Sequence, residues 1–295
     1  MNTTTAATVL YFEDEQAAAL RFAQAAGLSA QIVERHRFPD GELKLTLPTP
    51  LPARVVLYRS LNDPNEKLVE LMLVAQSART LGASDLTLVC PYLAYMRQDM
   101  AFHAGEVVSQ KVVGKFLASM FEGVITVDPH LHRVATLHEA IAVKRPVVVS
   151  GAPLLGEWIN QHVPHAFLLG PDGESAQWVA QAAAGHDMDH AACEKVRHGD
   201  KAVEIALPEV DLRARHVVLV DDVASSGRTL AQAAKLVLQA GATSVDVAVT
   251  HALFAQDAWP VIQAAGVRHI WSTDCVPHES NVIAIAQTLA RAYLS

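Results

Sequence analysis

Short β-branched runs alternate with Ala/Leu-rich stretches along this chain of 295 residues. Apolar runs at 54–58 (RVVLY), 85–90 (DLTLVC), 123–127 (GVITV), 146–150 (PVVVS), 166–170 (AFLLG), 216–220 (HVVLV) and 244–249 (SVDVAV) are β-rich and predict strands. Between them, 67–81 and 229–240 place apolar residues at helical spacing and predict helices. Strand and helix in alternation predict an α/β fold with a mainly parallel sheet flanked by helices.

The pattern occurs twice. Residues 71–92 (LMLVAQSARTLGASDLTLVCPY) align with 230–251 (LAQAAKLVLQAGATSVDVAVTH) at a constant offset of 159, so that helix, Gly-Ala turn and strand fall in register. Each copy follows an apolar strand, VVLY at 55–58 and VVLV at 217–220, the first connection being three residues longer. Two similar α/β halves are therefore expected, 1–147 and 148–295, joined near 143–152.

Composition narrows the function classes. Half of the residues are apolar (51%), yet no apolar run reaches the roughly 18–20 residues that span a bilayer. The first residues, MNTTTAATVLYF, have no basic segment ahead of an apolar one and do not read as a signal peptide. Three cysteines without a CxxC spacing argue against a disulfide framework or a zinc site, and a reduced cytoplasmic protein is expected. Fourteen histidines include no HExxH. A net charge of −8 argues against nucleic acid as a partner, though not against small phosphorylated ligands.

The sharpest chemical signal is VVLVDDVASSGRT, 217–229. A β run ends in Asp221 and Asp222, then come hydroxylated residues and a glycine, then a helix. In a parallel sheet the carboxyl ends of strands face the ligand crevice. Backbone N–H groups at the start of a helix can cradle a phosphate dianion, with Ser225, Ser226 and Thr229 adding hydroxyls and Gly227 allowing close approach. The two acids suit the vicinal hydroxyls of a sugar, or a magnesium ion held through water. This segment resembles the phosphoribosyl-binding signature of type I phosphoribosyltransferases and of ribose-phosphate diphosphokinases. The resemblance implies that the acids bind ribose hydroxyls and that Ser225, Ser226, Gly227, Arg228 and Thr229 bind the 5-phosphate. Arg228 stands where many members have a second glycine.

Further segments resemble the diphosphokinases in particular, and the likeness runs over nearly the whole chain. RFPDGE (37–42) is similar to a loop whose aromatic ring stacks on adenine, which implies ATP-binding roles for Phe38, Asp40 and Glu42. PYLAYMRQDM (91–100) is similar to the segment whose Arg and Gln engage ATP, implying Arg97, Gln98 and Asp99. GEVVSQKVVGKFL (105–117) follows and reads as a helix N-terminus. TVDPHLHR (126–133) brings Asp128 and His130, the histidine implied as a contact to the ATP phosphates and their magnesium. LLGPDGESAQW (168–178) implies Asp172 as a magnesium contact, although its usual glycine-rich, Arg-containing continuation is replaced. In EKVRHGD (194–200), Lys195 and Arg197 match the family's catalytic pair.

Together these imply pyrophosphoryl transfer from MgATP to the C1 hydroxyl of ribose 5-phosphate, giving phosphoribosyl pyrophosphate and AMP. Lys195 and Arg197 would bear the charge that develops on the phosphoryl oxygens. No P-loop GxxxxGK[ST] is present, so ATP is held by another device. The resemblance also implies a homo-oligomer. A phosphoribosyltransferase acting on a nucleobase, and a catalytically silent regulatory member of the family, remain open alternatives at this point.

Overall fold

The computed structural model describes residues 7–131, 133–198 and 202–295, with backbone alone at 195–198 and 202–204. Residues up to Val149 together with Ala286–Ser295 form one compact unit, and Ser150–Ile285 form a second. The chain passes from the first unit to the second after Val149, and its last ten residues return to the first.

In chain order the first unit contains β1 (Ala7–Tyr11), α1 (Gln16–Ala26), β2 (Ser29–Ile32), β3 (Glu34–Arg37), β4 (Leu43–Thr46), β5 (Arg54–Tyr58), α2 (Pro64–Thr80), β6 (Asp85–Cys90), α3 (Ser109–Ala118), β7 (Gly123–Val127), α4 (Leu137–Ala140) and β8 (Arg145–Val149). Six strands make a parallel sheet in the order β2-β1-β5-β6-β7-β8, and β3 and β4 pair with each other as an antiparallel hairpin.

The second unit repeats this plan with α5 (Ala152–His162), β9 (Phe167–Gly170), α6 (Ala176–Ala183), β10 (His190–Ala192), β11 (Glu194–His198), β12 (Ala202–Ala206), β13 (His216–Ala224), α7 (Arg228–Gln239), β14 (Ser244–Ala252), α8 (Ala258–Ala264), β15 (Val267–Thr273) and β16 (Asn281–Ile283). Its parallel sheet runs β10-β9-β13-β14-β15-β16, and β11 and β12 form the hairpin. Strand for strand the connectivity is the same, so the internal repeat extends well beyond 71–92. The hairpins keep a similar spacing, ERHR at 34–37 against EKVR at 194–197.

Alternation along the central strands explains their unbroken apolar runs. Val217 and Leu219 pack with Ala233, Val237 and Ile262 on one face, while Val218 and Val220 pack with Leu155, Ile159 and Val179 on the other. A strand covered by helices on both faces needs apolar residues at every position. Each such side chain contributes about 1.5–3 kcal/mol relative to exposure. In the first unit, Leu57, Leu86 and Leu88 pack with Leu71, Val74 and Leu117.

The final helix, α9 (Ala286–Leu294), packs on α1, β7 and β8 of the first unit. Tyr293 meets the edge of Phe22 at 6.1 Å, and Phe22 lies 5.8 Å from Tyr58. Among the described residues no helix is long and apolar enough to cross a membrane.

Candidate active site

The ribose-phosphate segment is more strand than expected. β13 does not stop at residue 220 but runs through both acids to Ala224, because Asp221 pairs with Val249, Val223 with His251 and Ala224 with Ala252 on β14. The loop proper is Ser225–Gly227, and Arg228 is already the first residue of α7. Gly227 caps that helix at φ 68°, a left-handed backbone that favours glycine. A Cβ there would also lie 2.8 Å from Ile262 Cδ1 and 3.1 Å from the Ala258 carbonyl oxygen. The loop is therefore pressed against α8.

A neighbouring loop fixes it further. The N–H groups of Leu253 and Phe254 donate to the Ala224 carbonyl at 3.1 and 2.8 Å, and Ala255 N–H donates to the Ser225 carbonyl at 3.0 Å. Phe254 and Gln256 hold positive φ (37° and 57°), with the Phe254 ring 5.1 Å from Trp259 and 4.7 Å from His278. Sequence reasoning missed this support, although a Leu-Phe pair just after an apolar strand was the available signal. Ser226 and Arg228 are exposed, Ser225, Thr229 and Asp221 half-buried, and Asp222 buried.

Three carboxylates influence one another here. Burial, and after it the negative charges of Asp222 and Asp172, pushes the Asp221 carboxyl well above the ordinary carboxylate range. Asp222 N–H donates to Asp221 Oδ1 at 3.0 Å. Asp172 follows β9 and caps a short turn, its Oδ1 accepting from Glu174 and Ser175 N–H at 3.0 and 3.3 Å, while Ser175 Oγ donates to the Asp172 carbonyl at 2.6 Å. The buried Cys193 thiol, lying near Asp172, is pushed up to about 12 by burial and then by that charge, which makes it inert.

In the first unit, RFPDGE forms the tip of the β3–β4 hairpin. Phe38 N–H donates to the Glu42 carbonyl at 2.8 Å, Gly41 N–H to the Phe38 carbonyl at 2.9 Å, and Glu42 N–H to Asp40 Oδ1 at 3.1 Å. Asp40 and Glu42 are exposed, and Phe38 is 41% exposed, a large ring left to solvent beside His36.

Arg97 is exposed and Gln98 donates to the Met100 carbonyl at 2.9 Å. Asp99, expected at ATP, is buried and accepts from Arg133, at 2.8 Å from its side chain and 3.1 Å from its backbone N–H. It ties the loop after β6 to the loop after β7, which carries His130. Arg133, the partner in that tie, is a residue the sequence reading passed over. Tyr95 and Asp128, in these same two loops, also hold positive φ (64° and 35°). Backbone strain of this kind gathers where geometry is fixed for function.

Lys195 and Arg197 lie on β11, opposite Ile205 and Val203 of β12; their side chains fall outside the described residues. Among the described residues, no group of three or more His, Cys, Asp or Glu side chains is placed to hold a metal ion. His130 is in the first unit and Asp172 in the second. A carboxylate such as Asp172 is the kind of oxygen ligand that magnesium takes, with the rest of its coordination usually left to phosphate oxygens and water. The surplus of negative charge around Asp221 also favours a cation.

Two parallel sheets with a hydroxyl-rich, glycine-capped loop after a strand ending in paired acids define a protein of the phosphoribosyltransferase fold. A family model described as the N-terminal domain of ribose phosphate pyrophosphokinase matches residues 7–120, and one described as the phosphoribosyl transferase domain matches 154–268. The chain is 36% identical over 266 residues to a ribose-phosphate pyrophosphokinase of Methanopyrus kandleri, covering 88% of this chain and 89% of that one. It is 34% identical over 281 residues to ribose-phosphate pyrophosphokinase 1 of Archaeoglobus fulgidus, with 93% and 95% covered. The chain belongs to the ribose-phosphate pyrophosphokinase family. Its fold is similar to that of phosphoribosylpyrophosphate synthetase from Mycobacterium smegmatis, with a TM-score of 0.82, 19% identity and 97% of each chain covered.

Proposed function

We propose that this protein transfers the pyrophosphoryl group of MgATP to the C1 hydroxyl of ribose 5-phosphate, releasing phosphoribosyl pyrophosphate and AMP. The observation that carries the reading is the loop at 221–229: paired acids at a strand end, a glycine-capped helix start, and hydroxyls at Ser225, Ser226 and Thr229. Family membership selects the reaction among those that a ribose-phosphate holder could serve.

Ribose 5-phosphate binds with its 5-phosphate on Ser225–Thr229 and its ring hydroxyls on Asp221 and Asp222. ATP binds on the first unit through Phe38, Asp40, Glu42, Arg97, Gln98 and His130. The C1 oxygen forms a bond to the β-phosphorus, the bond from that phosphorus to the α,β-bridging oxygen breaks, AMP leaves with that oxygen, and the hydroxyl proton is lost to solvent. Lys195 and Arg197 stabilise the charge on the phosphoryl oxygens, and no covalent enzyme intermediate is needed. His130 and Asp172 are the residues that would hold magnesium, which supplies charge screening and orientation of the polyphosphate when bound. The active form is a homo-oligomer, and the enzyme works in the cytoplasm on small molecules, not on nucleic acid.

The test is incubation with ribose 5-phosphate, ATP and magnesium while AMP is followed, for wild type and for Asp222→Asn. AMP that forms only with ribose 5-phosphate present, and that falls sharply in the variant, supports the reading; ADP as the nucleotide product, or no turnover, overturns it.

A further inference from the structure

The residue that follows each apolar strand run differs between the units: the second has Asp221 after VVLV, the first has Arg59 after VVLY. Arg59 is 1% exposed, an uncommon fate for a guanidinium unless it is paired; its two terminal nitrogens are, while Nε is buried without a hydrogen-bond partner among the described residues. Its Nη1 donates to Asp14 Oδ2 at 2.7 Å and to Glu15 Oε2 at 3.1 Å, and its Nη2 donates to Glu70 Oε2. Glu70, also fully buried, uses its other oxygen to accept from Arg35 on β3. Arg35 reaches Asp14 as well, at 3.3 Å. Both guanidinium groups lie over the Phe12 ring, at 4.6 Å for Arg59 and 5.5 Å for Arg35. Glu15 closes the cluster by accepting from Ser60 N–H at 2.7 Å.

This chain of charges ends on the hairpin that carries Phe38. None of the four residues of β3 is apolar or buried, so the strand itself has no apolar anchor, and it pairs with β4 alone rather than with the main sheet. At its base the hairpin is anchored by Leu45 of β4 and by buried Val33, whose N–H donates to the Tyr11 carbonyl at 2.8 Å, but an isolated two-stranded ribbon is only marginally stable by itself beyond such an anchor. Arg35 to Glu70, with the exposed pair Arg37 to Glu66 beside it, supplies the second line of attachment. An apolar cluster could supply stability equally well; charged groups with fixed bond directions add orientation.

We propose that Arg35, Glu70 and Arg59 are positioning residues for ATP, holding the β3–β4 hairpin at the angle that presents Phe38 to the adenine. This inference rests on the assignment of Phe38 to ATP. Its test compares the half-buried Arg35→Met and Arg35→Lys with Phe38→Ala in steady-state kinetics and in thermal unfolding. Arg35→Met raises KM for ATP about tenfold, leaves kcat at saturating ATP and KM for ribose 5-phosphate within about twofold, and Arg35→Lys recovers much of the loss. Direct ATP binding by calorimetry on the folded variants gives the same order. If Phe38→Ala raises KM for ATP and Arg35→Met does not, the positioning role is wrong while the ATP site stands. A Phe38→Ala variant with unchanged KM for ATP removes the ATP-site assignment itself. A uniform loss in both KM values and kcat, together with a collapsed unfolding midpoint, makes the cluster structural only and overturns the proposal.

Discussion

Gly227→Ala is the perturbation whose size can be worked most directly from the phosphate loop. Two costs add. The backbone at φ 68° disfavours any residue with a Cβ by about 1–2 kcal/mol. The new Cβ then meets Ile262 Cδ1 at 2.8 Å, Cγ1 at 2.9 Å and the Ala258 carbonyl oxygen at 3.1 Å, an overpacking that costs about 1–3 kcal/mol. The sum is about 2–5 kcal/mol, relieved only by moving the loop away from α8. Gly185→Ala supplies the control, because Gly185 has φ 82° but open space around its would-be Cβ, so strain alone acts there, at about 1–2 kcal/mol. All four tryptophans, Trp158, Trp178, Trp259 and Trp271, lie in the second unit, so denaturant unfolding followed by intrinsic fluorescence reports the unit concerned. Gly227→Ala should unfold at clearly lower denaturant than Gly185→Ala and should also raise KM for ribose 5-phosphate at least tenfold, an effect of about 1.4 kcal/mol. Equal stability of the two variants, with unchanged KM, would refute the close packing of this loop on α8.

Other expected outcomes follow from the same geometry. Asp221→Asn should abolish binding of ribose 5-phosphate and yet raise the unfolding midpoint at pH 7. An acid whose folded value is raised contributes its stability below the ordinary 3.8 and loses it as pH rises through the folded value, so the advantage of the amide should vanish below about pH 3.8. An advantage that grew as pH fell would reverse the sign of that shift. Lys195→Ala and Arg197→Ala should each lower kcat by about 10²–10³ with the fold intact, as loss of a transition-state donor does; single-turnover AMP formation within a few-fold of wild type would remove them from the chemistry. Arg133→Leu, by freeing the loop after β7 from the buried Asp99, should weaken ATP binding in calorimetry and leave ribose 5-phosphate binding unchanged. Cys90, Cys193 and Cys275 are all buried, so iodoacetamide at pH 8 should modify none of them in the native enzyme and all three after unfolding; rapid native labelling of Cys193 would contradict its placement.

Much of the architecture could be read from hydrophobic pattern because the central strands are covered on both faces. β5, β6 and β7 begin and end where the apolar runs at 54–58, 85–90 and 123–127 do. β3 escaped notice for the opposite reason: ERHR buries nothing, and its strand form comes from pairing with β4 and from ion pairs to α2. β13 outran its apolar segment because ladder bonds to β14 hold Asp221 and Asp222 extended, which no alternation of apolar residues could signal. The return of α9 to the first unit was equally hidden, since an amphipathic helix shows that it covers a face but not which one. At the candidate site, residue types and spacing marked the two acids and the Ser225–Gly227 loop that the structure places between β13 and α7. The roles of Asp99 and Arg59 depended on partners 34 and up to 45 residues away in sequence, Arg133 and Asp14, and only the folded arrangement pairs them.

The reaction itself is best tested by ribose 5-phosphate carrying ¹⁸O in its C1 hydroxyl, incubated with ATP and magnesium and followed by ³¹P NMR. Attack of that hydroxyl on the β-phosphorus predicts the label in the bridge between C1 and the pyrophosphoryl group, with unlabelled AMP released in equal amount. A product that has lost the label, or ADP in place of AMP, would contradict pyrophosphoryl transfer at the site built on 221–229.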